Sequence, residues 1–169
     1  MIKNSIIILA ILFFLPLIGK AQEESAIALS VYNFTRFIEY PVNDASGDFT
    51  IDVIGHKSVY DKLKELTAGK MVGRRQIVVR FLESINKITQ SQILFVGFWQ
   101  SAAFPRVLEM LGNSHTLIIS EKDGLIESGA GINFVVRNNG IKFEIKRTNI
   151  EKYGLILSKE LENMAFKSY

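Results

Sequence analysis

The sequence predicts a single α/β domain, three-layered and Rossmann-like, with a mixed sheet of about six strands, flanking helices and an antiparallel hairpin near the C terminus. Three observations carry this. Ile93–Val96 and Thr116–Ser120 are short, largely apolar runs bounded by polar residues or glycine, as in strands buried on both faces. Segments with helical apolar spacing lie between such runs. Apolar and mostly polar residues alternate on either side of Asn139-Gly140, a preferred pair for a tight hairpin turn.

The elements follow in order. Ile27, Val31, Phe34 and Ile38 recur on one helical face, widened by Leu29, Phe37 and Tyr40, and Pro41 is expected to end that helix. Tyr32 and Tyr40 line either the core or a dimer interface. Asn43 to Asp48 reads as a turn, and Phe49 to Gly55 as a strand. Ser58, with Asp61 three residues on, is expected to cap a second helix whose stripe is Val59, Leu63 and Leu66, stopped at Gly69. Arg75 to Phe81 is a β-branched strand, and a short helix spans Pro105 to Leu111. In the hairpin, placing 139 and 140 in the turn sets Val136 opposite Phe143 and Phe134 opposite Ile145. Thr148 and Glu151 read as a capping box for a last helix carrying Ile150, Gly154, Leu157, Leu161 and Met164 on one stripe.

The chain has 169 residues, enough for one domain held by its own core. Its net charge of +3 owes much to Lys3 and Lys20, which lie in a first stretch of 21 residues without an acidic group. Of the 20 basic residues, 18 remain beyond that stretch against 17 acidic ones. A near-neutral body offers no electrostatic footprint for nucleic acid. Lys3, the apolar run Ile6 to Ile18 and Gly19-Lys20-Ala21 have the layout of a secretory leader cleaved after Ala21. The run falls short of the ~20 residues that span a bilayer. An uncleaved anchor is the alternative. The domain then occupies residues 22–169. The chain has no cysteine, which removes disulfides, thiolate chemistry and a lipid-bearing cleavage site.

No phosphate-binding G-x-x-x-x-G-K-[ST] loop or nucleophile elbow occurs, and no cofactor or metal motif is present. Gly129-Ala130-Gly131 leads into a strand, not a helix, so it is not a dinucleotide fingerprint. Of two histidines, His115 reads as a loop residue, whereas His56 follows a strand and precedes a helix. In open α/β sheets ligands gather outside the carboxyl ends of the strands. That rule brings three loops to one edge: Gly55-His56-Lys57, Gly97-Phe98-Trp99-Gln100-Ser101 and Ser120-Glu121-Lys122-Asp123. The candidate contact residues are therefore His56, Lys57, Phe98, Trp99, Gln100, Ser101, Glu121 and Lys122. Trp99 is either a binding anchor or a cover over the end of the core. Arg74 and Arg75 form a separate basic pair before a strand. No catalytic constellation emerges, and the expectation is a non-enzyme.

Several segments together resemble the YfiR-like family. They are Tyr32-Asn33-Phe34-Thr35-Arg36-Phe37-Ile38-Glu39-Tyr40-Pro41, Gly73 to Arg80, Ile93 to Val96, Gly129 to Phe134, Ile141 to Ile145 and Gly154 to Leu161. Tyr40 stands where that family commonly has Trp, and Ser91-Gln92 where it often has Cys-His. The resemblance implies a periplasmic regulator that binds, and holds inactive, the periplasmic part of an inner-membrane diguanylate cyclase or sensor kinase. Disulfide-based redox control cannot operate here. A binding module for a small periplasmic ligand is the alternative.

Overall fold

The computed structural model describes residues 19–41, 47–138 and 140–169. Most of the expected leader, positions 43–46 of the expected turn and Asn139 of the expected hairpin turn lie outside the described residues. The chain runs α1 (19–34), β1 (Ile38–Glu39), β2 (Phe49–Ile54), α2 (Lys57–Thr67), β3 (Met71–Val72), β4 (Arg75–Leu82) and β5 (Ile93–Val96). A 3₁₀ turn (Phe98–Ala103) leads into α3 (Phe104–Leu111), then β6 (Leu117–Ser120), α4 (Leu125–Ser128), β7 (Ile132–Arg137) and β8 (Gly140–Ile145). α5 (Arg147–Glu151), β9 (Ile156–Leu157), α6 (Lys159–Met164) and β10 (Lys167–Ser168) complete it.

Eight strands form the main sheet in the order β10-β8-β7-β6-β5-β2-β4-β3, and β1 pairs with β9 in a separate ribbon. The sheet is larger than the expected six because β3 and β10 add two-residue edges. β4, β2, β5, β6 and β7 are parallel neighbours, while β8 returns antiparallel to β7. From β2 the chain moves outward through α2 to β4. From β5 it moves the opposite way to β6 and β7. The right-handed crossover rule then puts α2 on one face and α3 on the other. Phe34 of α1, stacked on Phe134 with centroids 6.0 Å apart, covers the α2 face. The sheet centre is dry: β5 is wholly buried, and Ile51, Val53, Ile54 and Ile119 are fully inaccessible. Fully burying such side chains is worth about 1.5–3 kcal/mol each.

Five expectations about local structure need correction. α1 ends at residue 34, not at Tyr40; Thr35 Oγ1 donates to the Tyr32 carbonyl at 2.7 Å, and Ile38–Glu39 pairs with β9. Ile38 stays buried as expected, but from a strand. The hairpin register differs by two: Phe134 opposes Phe143 and Val136 opposes Ile141. Moving a two-residue turn by one position shifts register by two, which keeps every apolar side chain on the same face. Hydrophobic alternation alone therefore could not choose, and Asn138, at φ 51°, accepts the left-handed backbone.

The expected last helix is two short ones. Gly154, at φ +70°, breaks the path after α5, and Ser158 accepts from the Leu161 N–H to start α6. The first residue of α5 is Arg147, so Thr148 does not cap it. Nor does Ser58 cap α2, because the His56 ring accepts from the Val59 N–H instead.

Candidate functional site

The chain leaves β2 and β5 in opposite directions, so their carboxyl ends form a topological switch point, the place where an open sheet leaves a crevice. Two glycines let the loops close there. Gly97 N–H donates to the Ile54 carbonyl at 2.7 Å, and a Cβ on Gly97 would fall 2.6 Å from the Gly55 carbonyl oxygen. Gly55 holds φ +76° with Gln100 packed against it. Only a chain lacking Cβ at both positions brings the His56 and Phe98 loops this close.

Glu121, just past β6, joins the three loops. Its Oε1 accepts the Phe98 backbone N–H at 2.6 Å, and its Oε2 lies 3.7 Å from His56 Nε2. The other His56 nitrogen, Nδ1, accepts from the Val59 N–H at 3.4 Å, which directs a neutral ring's proton toward Glu121. Burial holds the Glu121 carboxyl above its usual range; the Phe98 N–H and His56 oppose that shift.

Beyond Glu121 opens a cleft of about 470 Å³ between α1 and the ends of β6, β7 and β8. Ile27, Phe134 and Ile141 supply apolar walls, while Glu24, His56 and Glu121 bring polar groups to it. Asp123 and Arg137, 3.6 Å apart, stand at the same cleft. The charges are mixed and the walls apolar, so the cleft suits a small amphipathic molecule.

The expected candidates divide. His56, Phe98, Glu121 and Lys122 line the cleft together. Trp99 does not cover the core: it is 81 % exposed, edge-on to Phe98 with ring centroids 5.6 Å apart. Lys122 Nζ lies 5.8 Å from the Phe98 ring. Lys57 turns away to pair with Asp61 and sits over the Tyr60 ring. Gln100 packs on Gly55 and Ser101 is buried, both serving the 3₁₀ turn. Arg75 donates to the carbonyls of Gly47 and Asp48 beside the start of β2, at the opposite sheet edge, with exposed Arg74 next to it. His115, before β6, is also at that opposite edge, where its ring packs on Gly154. Tyr32 is buried, and Tyr40 packs on Phe49, so both belong to the core.

Sequence reasoning missed Glu24, which α1 brings to the cleft. It also missed Asp52, a fully buried carboxylate in β2 held by Arg80 at 2.7 and 2.8 Å. A single aspartate inside an otherwise apolar strand was the available signal. Among the described residues no cluster of metal-ligating side chains occurs, and no helix is long and apolar enough to cross a membrane.

Fold and site together define an open α/β domain with a crevice at its switch point and an exposed aromatic pair on its rim. The sequence profile of the YfiR/HmsC-like family matches residues 25–165, and the chain belongs to that family. No curated protein matches it in sequence. Two solved structures share the fold at 12 % identity. One, a conserved domain protein from Vibrio cholerae, has a TM-score of 0.62 over 85 % of this chain and 60 % of its own. The other, the ABC domain of Streptococcus pneumoniae in complex with L-Trp, has a TM-score of 0.53 over 71 % of this chain and 55 % of its own. This chain thus spans less than two thirds of either neighbour's length.

Proposed function

We propose that the protein is a periplasmic regulator, released by cleavage after Ala21, that binds and inhibits the periplasmic part of an inner-membrane signalling enzyme. That enzyme is a diguanylate cyclase or a sensor kinase, and this chain contributes contacts, not catalysis. The observation that carries the reading is family membership across residues 25–165. The surface that supports it is the Phe98–Trp99 pair, 52 % and 81 % exposed, on a turn tied down by Glu121. A large aromatic held out into solvent on a fixed backbone is the usual form of an interface anchor, because little entropy is lost on docking.

Deletion of the gene tests this directly. Cyclic di-GMP should rise, or the kinase's response regulator should become phosphorylated, and wild-type protein should reverse the change. No change in either signal on deletion would count decisively against the reading.

The cleft favours a second role on the same scaffold. Its volume falls in the range of small-molecule sites, about 300–1,000 Å³, and it shares Phe98 and Glu121 with the aromatic rim. A small periplasmic ligand bound there would touch the same turn that presents Trp99, and so would tune partner affinity.

A further inference from the structure

His56 serves two elements at once, one with each ring nitrogen. Nδ1 accepts from the Val59 N–H at 3.4 Å and so caps α2, while Nε2 lies 3.7 Å from Glu121 Oε2. The cap needs the Nδ1 lone pair, and a neutral imidazole offers one lone pair and one N–H. A second proton on this ring can go only onto Nδ1. It would point at the Val59 N–H, donor against donor, and the cap would be lost. Nothing else in the first turn replaces it: Ser58 does not cap the helix, and no acidic side chain stands there. The backbone bond from the Tyr60 N–H to the His56 carbonyl, at 3.2 Å, does not involve the ring and stays.

The charges around the ring pull in opposite directions. The N terminus of α2 carries partial positive charge and disfavours an imidazolium, and Lys57 beside it is paired with Asp61. Glu121 favours the imidazolium, because at 3.7 Å a charged ring and a carboxylate form an ion pair. Along the same cleft stand Lys20, Glu23 and Glu24 of α1, Lys122 and Asp123 beside Glu121, and Arg137 of β7. From β5 the neighbour is the uncharged ring of Phe95, edge-on with centroids 6.4 Å apart. The His56 side chain is 18 % exposed, so protons reach it from water. We propose that His56 is an acid-operated latch, which caps α2 while neutral and, on protonation, lets go of α2 and is held by Glu121 alone. Glu121 keeps its other oxygen, Oε1, for the Phe98 N–H. Protonation therefore loosens the first turn of α2 and leaves the Trp99 turn tied down. The latch belongs to the domain itself and does not rest on the regulatory reading.

The test is NMR with amide hydrogen exchange on the isotope-labelled protein between about pH 8 and pH 5, the span over which imidazoles change charge. Long-range proton–nitrogen spectra should show the His56 ring with its proton on Nε2 at the alkaline end and on both nitrogens at the acid end. After correction for the intrinsic pH dependence of exchange, protection of the Val59 amide should fall by roughly fivefold along the same curve, as expected for loss of one helix cap. His56→Asn keeps a capping side chain that does not titrate, so Val59 protection should stay flat in that variant. Glu121→Gln should keep the Val59 response, because the cap depends on Nδ1 and not on the carboxyl. A neutral ring with its proton on Nδ1, or Val59 protection that ignores the His56 titration, would overturn the proposal. So would a pH response that survives in His56→Asn or disappears in Glu121→Gln.

Discussion

Glu121 accepts the backbone N–H of Phe98 at 2.6 Å, so one side chain past β6 fixes the turn that presents Trp99 past β5. A hydrogen bond to a charged acceptor contributes about 1.5–3 kcal/mol, part of which is cancelled here by burying the carboxylate. Glu121→Ala should therefore cost only about 1 kcal/mol overall and mainly free the turn. Trp99 is the sole tryptophan, so its fluorescence anisotropy reports the turn alone. Anisotropy should fall in the variant, and unchanged anisotropy would mean that the turn is held by other contacts.

Acid titration should show the same carboxyl. Burial raises the Glu121 pKa in the folded state. A raised carboxyl contributes stability that is full below the unfolded value and is lost as pH rises through the folded one. As pH rises from the ordinary glutamate range through the raised folded value, wild-type stability should fall relative to Glu121→Gln. Denaturant midpoints measured in parallel across that window check the sign.

Gly97→Ala should be far more disruptive than a surface glycine substitution. The added Cβ would meet the Gly55 carbonyl oxygen at 2.6 Å and His56 Cβ at 2.7 Å, both fixed parts of the switch point. Overpacking of this kind costs about 1–3 kcal/mol. Melting temperature and Trp99 emission should both change. Gly69→Ala serves as the control, because nothing lies within 4 Å of its Cβ direction and only backbone strain at φ +71° remains.

Arg80→Met should destabilise by about 3 kcal/mol, because it leaves the fully buried Asp52 carboxylate unpaired. The Arg80 side chain is 40 % exposed, so water can partly replace it and the cost sits at the low end of the range for breaking a buried pair. The double variant Arg80→Met with Asp52→Leu should recover much of the loss. Urea midpoints of the two variants decide the point.

Tyr40→Phe should be neutral or stabilising by up to about 1 kcal/mol. Its hydroxyl is buried without a hydrogen-bond partner among the described residues, while the ring keeps its edge contact with Phe49 at 5.4 Å. Loss of stability in this variant would show that the hydroxyl is satisfied in solution.

Much of this was legible in the sequence, for identifiable reasons. The strand-end rule brought His56, Phe98 and Glu121 to one edge because parallel strands feed their loops to the same side, whatever their order in the sheet. It could not tell that Lys57 folds back onto Asp61 or that Gln100 is packing against Gly55, since those depend on side-chain direction. Glu24 was invisible because helical periodicity finds the buried stripe of α1 but not which strands it lies across. Ile38 and Leu157, paired in the β1–β9 ribbon, fitted helical stripes equally well in sequence. Two-residue strands carry no period. The hairpin escaped because Asn138 is one of the few non-glycine residue types that adopt φ > 0.

The central claim is that the aromatic rim docks on a membrane signalling enzyme. Affinity capture from solubilised inner membranes, run side by side with wild-type protein and Trp99→Ala, tests it most directly. A diguanylate cyclase or histidine kinase should be retained by the wild type and lost with the variant, whose fold should be intact because Trp99 is 81 % exposed. Retention of no signalling enzyme, or equal retention by both proteins, would contradict the claim.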